Sequence, residues 1–201
     1  ESLGISRDLD ERLSGDFQAR RDLTIALNNV AGMLKYSDPG RAVELYEESL
    51  GIRRDLAERL PGNVQARRDL TIALSNVAGM LETSDPGRAL ELYQESLGIS
   101  RDLDERLSGD FQARRDLTIA LNNVAGMLKY SDPGRAVELY EESLGIRRDL
   151  AERLPGNVQA RRDLTIALSN VAGMLETSDP GRALELYQES LGISRDLDER
   201  L

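Results

Sequence analysis

Neither cysteine nor histidine occurs anywhere in these 201 residues. Without cysteine there is no disulfide framework, no thiolate nucleophile and no thiolate metal site. Without histidine the commonest general base is gone, and with it the usual triads and zinc ligand sets. Aromatic residues make up only 4% of the chain and apolar residues 40%, which suits a thin array with no deep centre. No apolar run approaches the ~20 residues needed to span a bilayer, and no signal peptide opens the chain. Basic tracts are missing too: arginine pairs alternate with aspartate and glutamate, and the formal net charge is −10. That balance argues against nucleic acid as a partner. The expectation is a protein that is not an enzyme, needs no cofactor or metal, and engages neither nucleic acid nor membrane. A cytoplasmic location fits these absences.

What the chain does have is repetition. Glu1, Glu48, Glu95, Glu142 and Glu189 each open a similar stretch, so the period is 47 residues. The units are 1–47, 48–94, 95–141 and 142–188, with a partial unit at 189–201. The third unit copies the first and the fourth copies the second without a change, making a duplicated block of 94 residues. Identity of that extent points to a very recent duplication or to deliberate design. A fixed period of this length is the mark of a quasi-one-dimensional array, so the whole of 1–201 reads as one repeat array.

Within a unit the apolar spacing is helical. Leu23, Leu27, Val30 and Leu34 are spaced 4, 3 and 4, widened by Ala19, Ala26 and Ala31, which predicts a core-facing helix from about Phe17 to Tyr36. Ser37-Asp38-Pro39-Gly40 then breaks the chain, with Asp38 placed as an N-cap and Pro39 as the first helical residue. A second helix is expected from about Pro39 to Leu60, on a stripe of Ala42, Leu45, Tyr46, Ser49, Ile52, Leu56 and Leu60. Arg53 and Arg54 are expected mostly outside it. Residues 1–13 read as the later half of such a helix. Ser14-Gly15-Asp16 reads as a left-handed stop followed by a cap, and Pro61-Gly62-Asn63 as its counterpart in the alternate unit. No segment alternates with period two. The fold class expected is all-α: an α-solenoid of antiparallel helical hairpins.

The landmarks of each unit resemble the tetratricopeptide repeat, whose pattern is W-x2-L-G-x2-Y, then A-x3-F, then P. Leu27, Val30, Ala31 and Leu34 take the first four landmarks, Ala42 and Tyr46 the next two, and Ser49 the place of a small residue. The wording ALNNVAGML followed by RAVELYEESLGIRRDL is similar to kinesin-light-chain-type repeats and to long bacterial arrays of that style. The unit is longer than the family's usual ~34 residues. Each helix gains one heptad, so the packing stripe keeps its phase.

The resemblance implies an open superhelix whose first helices line a concave face that binds protein or peptide. It places Asn28 and Lys35 towards that groove, with Asn122 and Lys129 as their copies. An asparagine ladder runs beside them through Asn29, Asn76, Asn123 and Asn170. Amide side chains both donate to and accept from a peptide backbone; equally, they could bond neighbouring helices across the repeat interface. Gly32 and its copies inside helices call for an offsetting reason, either close packing or room for a ligand backbone. The Arg20-Arg21-Asp22 runs suit acidic partners or acids on adjacent helices. Paired acids elsewhere read as solvated, salt-bridged faces. Finally, the terminal helices carry no polar capping repeat, which suggests end-to-end association into a homo-oligomer. Two functions are therefore expected: a protein- or peptide-binding scaffold, or a structural, self-assembling solenoid.

Overall fold

The computed structural model describes residues 17–199. The half-helix expected at 1–13 and the turn at Ser14 to Asp16 lie outside the described residues. Eight helices follow one another: α1 (Phe17–Leu34), α2 (Pro39–Arg59), α3 (Val64–Leu81), α4 (Pro86–Arg106), α5 (Phe111–Leu128), α6 (Pro133–Arg153), α7 (Val158–Leu175) and α8 (Pro180–Asp198). Among the described residues there is no strand. The array is all-α, built from antiparallel hairpins joined by four-residue turns.

The caps explain where the helices begin. The backbone N–H of Arg41 donates to Asp38 Oδ1 at 3.1 Å, with Pro39 in the first turn. Asp85, Asp132 and Asp179 repeat that arrangement, while Asn63 and Asn157 accept from Ala66 and Ala160 at 3.0 Å. Each such acceptor satisfies one of the orphan donors of a helix start. The first helix ends two residues earlier than its pattern suggests, because residues 35–37 already turn.

The turns after the second helices come in two kinds. Asp110 N–H donates to Leu107 O at 2.7 Å around Ser108 and Gly109, and Gly109 has φ +86°. Asn63 N–H donates to Leu60 O at 2.9 Å around Pro61 and Gly62, with no positive φ. Glycine is needed for its left-handed freedom only in the first kind.

The chain divides into two compact units, with the boundary between Ile99 and Ser100 inside α4. In the first unit α1 packs on α2, and α2 on α3. Its core gathers Leu23, Leu27, Ala31, Ala42 and Leu45, with Val30 and Tyr46 against it. In the second unit α5 packs on α6, α6 on α7 and α7 on α8. There Leu144 of α6 joins Leu164, Leu168 and Val171 of α7 and Leu186 of α8. Small residues sit where helices approach: Ala31, Ala42 and Ser49 are fully buried. Ser49 and Ser143 hydroxyls reach back to the carbonyls of Thr24 and Thr118 at 3.5 and 3.4 Å.

Two expectations for the second helix need correction: Arg53 is buried, and Leu60 is exposed. Leu50, which the stripe did not include, is buried as well. A helix inside a stack buries two stripes, one within its hairpin and one against the next first helix. The pattern identified only the first stripe.

Candidate functional site

The first helices place the expected asparagines unevenly. Asn29 is exposed, while Asn76, Asn123 and Asn170 are half-buried. Asn28 and Asn122 are half-buried as well, and their Oδ1 atoms are enclosed without a hydrogen-bond donor. Lys35 and Lys129 do not stand on the first helices but in the turns that follow, where both are exposed. Their ammonium groups lie 5.8 and 5.5 Å from the ring centres of Tyr36 and Tyr130, within cation–π range. The structure therefore gathers no single asparagine–lysine cluster.

The in-helix glycines meet tyrosine. A methyl group at Gly32 would lie 3.6 Å from the Tyr46 hydroxyl, and one at Gly79 would lie 3.4 Å from that of Tyr93. These are ordinary van der Waals distances, so no close helix approach demands glycine there. The tyrosines differ between hairpins. Tyr93 OH donates to Glu82 Oε1 at 2.7 Å, and Tyr187 does the same to Glu176. Burial first, and then the Glu82 carboxylate, push the Tyr93 phenol well above its ordinary range. In the alternate hairpins lysine replaces that glutamate; burial alone raises Tyr46 and Tyr140.

The arginine runs pair with acids of adjacent helices. Arg20 meets Asp55 at 3.2 Å and Arg21 meets Asp69 at 2.6 Å; Arg114 meets Asp149 at 2.8 Å and Arg115 meets Asp163 at 2.6 Å. Around Asp69 this becomes a buried network that the sequence did not announce. Arg53 Nε donates to Thr24 Oγ1 at 2.9 Å and its Nη1 to Asp69 O at 2.8 Å, while Gln65 donates to Asp69 Oδ1. Arg147, Thr118 and Asp163 repeat it in the second unit. Desolvation lowers the Arg53 pKa, Asp69 opposes that fall, and Arg21 adds to it. The available signal was the alternation itself, because serine stands in the same place at Ser100 and Ser194.

An open groove of about 450 Å³ in the second unit is lined by Arg148, Ala151, Pro155, Arg161, Leu164 and Ile193. Its guanidinium groups already face Glu189 and Asp196, at 2.6 and 2.5 Å. None of the expected asparagines lines it. Among the described residues no cluster of acids is arranged to hold a metal ion, and no helix is long and apolar enough to cross a membrane.

The last hairpin differs from the others at its outer face. Leu184, Tyr187 and Leu191 of α8 are 57%, 37% and 49% exposed. On α6 the equivalent Leu144 is 4% exposed and joins the core with α7, with Tyr140 packed beside it.

No family model matches the chain, and no curated protein matches it. Among solved structures it is similar to the crystal structure of a de novo designed helical repeat protein, DHR64, at 17% identity and a TM-score of 0.48. That likeness covers 98% of this chain and 96% of the other. A structure described as the DHF119 filament is similar at 19% identity and a TM-score of 0.38, covering 98% and 97%. The DHF46 filament follows at 16% and 0.36, covering 90% and 98%. The helical-repeat array itself rests on this chain's own helices and its 47-residue period.

Proposed function

We propose that this chain is a structural, non-catalytic helical repeat of tetratricopeptide-like design that associates with further copies of itself through its end faces. The observation that carries the reading is the outer face of α8. Its Leu191 stands where α6 buries Leu144 against α7, and its Tyr187 where Tyr140 packs on the same core, yet on α8 both are exposed. Uncovered apolar residues at positions built for stacking favour association, because burying them releases roughly 25 cal/mol per Å². Repetition supports the same reading, since identical hairpins every 94 residues suit regular geometry better than a unique ligand.

Molar mass by light scattering after size exclusion, across a hundredfold range of concentration, tests it. Mass rising above the 22.3 kDa of one chain is expected. A constant monomer mass would rule out self-association.

A second reading, capture of an extended peptide along the first helices, is supported by Asn29, which is exposed, and by its half-buried copy Asn123. Titration of a peptide library against an Asn29→Ala/Asn123→Ala variant tests it; equal binding by the variant and the unaltered chain counts against it.

A further inference from the structure

Within each unit, neighbouring hairpins are joined in two layers of opposite character. One layer is buried. In the second unit Arg115 of α5 meets Asp163 of α7 at 2.6 Å, and the Asp163 side chain is only 8% exposed. Arg147 of α6, itself buried, donates to Thr118 of α5 at 3.0 Å and to the Asp163 carbonyl at 2.7 Å. Three helices are thus fixed to one another through charges that water hardly reaches. Arg21, Arg53, Thr24 and Asp69 make the same joint in the first unit.

The other layer joins the second helices, and it is wet. In the second unit α6 packs on α7 and α7 on α8. Between α6 and α8 lies the open groove of about 450 Å³, with Arg148, Ala151 and Glu152 on one bank and Glu189, Ile193 and Asp196 on the other. Two ion pairs run from helix to helix: Arg148 of α6 to Glu189 of α8 at 2.6 Å, and Arg182 of α8 to Glu141 of α6 at 2.8 Å. Their side chains are 37% to 49% exposed. In the first unit Arg54 on Glu95 and Arg88 on Glu47 join α2 to α4 in the same way, at 2.6 and 2.5 Å.

We infer that these exposed pairs are straps governed by ionic strength, and that the two hairpins of a unit tilt about the buried arginine joint when salt releases them. Screening decides which layer yields. The Debye length falls from about 30 Å at 0.01 M salt to about 3 Å at 1 M, and exposed pairs weaken with it while buried ones are screened much less. The groove is open to solvent, so water enters as the straps part. A contact pair then becomes a pair separated by one water, roughly 3 Å wider. The buried side keeps its spacing. The motion is a hinge, not a general loosening.

Paired spin labels test this on the full chain, which holds no cysteine of its own. Gly145→Cys with Gly192→Cys reads the spacing of α6 and α8; both glycines are exposed, and an added side-chain carbon there meets nothing. Ile119→Cys with Ile166→Cys, at two exposed positions, reads α5 against α7. Labelled chains are diluted with unlabelled chain, so that only distances within one chain are measured. From about 0.01 M to about 1 M salt, the α6–α8 distance is expected to lengthen by roughly 3 Å and the α5–α7 distance to stay constant. An α6–α8 distance that does not move, or two distances that move together, overturns the hinge. Glu141→Gln with Glu189→Gln is expected to show the longer α6–α8 distance already at low salt, with unchanged helical circular dichroism. A variant that still responds to salt as the unaltered chain does would show that these pairs are not the straps.

Discussion

Arg53 sets a full charge between two hairpins, and its geometry shows how the chain tolerates that. Two acceptors meet it, Thr24 Oγ1 and the Asp69 carbonyl, and the Asp69 carboxylate adds the field of its charge. Breaking one partner of such a buried pair generally costs more than the pair contributes. The hydroxyl of Thr24 is committed as well, donating to Arg21 O at 2.7 Å. At the same scale Tyr93 carries a pH prediction. Its phenol holds its proton more tightly in the folded chain than in the unfolded one, so its contribution is fully present below the ordinary phenol pKa of about 10. Above that value the unfolded chain ionises first, and the contribution is lost as pH rises towards the folded pKa. Urea midpoints measured from neutral to strongly alkaline pH should fall in this range, and Tyr93→Phe should flatten the fall. An unchanged slope in the variant would count against the buried Tyr93 phenol as its source.

Among the elements, the two kinds of turn separate most clearly. Gly109 at φ +86° carries the penalty of any side chain in the left-handed region, whereas Gly156 lies outside that region and an added methyl meets nothing. Gly109→Ala should therefore lower stability by about 1 kcal/mol, while Gly156→Ala should be neutral or stabilise by up to ~1 kcal/mol. Denaturant midpoints of the two variants check the contrast; equal losses would refute it. The elements were also where the sequence was most legible. Apolar spacing, Asp-Pro starts and Gly stops mark one local cause each, and the helix pairs follow from them. What stayed hidden depends on neighbours. Arg53 reads as surface until a second helix closes over it, Leu50 reads as a spare leucine until its outward stripe meets α3, and Lys35 reads as helical although the turn has begun. The asparagines were legible as a ladder but not as a site, because periodicity gives a face and not its exposure.

For the whole molecule, each hairpin depends on those beside it, and their contributions add as nearest-neighbour terms. Among the described residues the hairpins α1–α2 and α7–α8 are each flanked on one side only, so each has fewer neighbours to lose than a hairpin held on both sides. A mechanical consequence follows. Held by its two ends and stretched, the chain should not give way all at once but release hairpins singly, beginning with one flanked on one side only. Every release frees the same 47-residue length, roughly 155–170 Å when drawn out. The record of force against extension would be a row of evenly spaced teeth, and the protein a spring that yields in fixed steps.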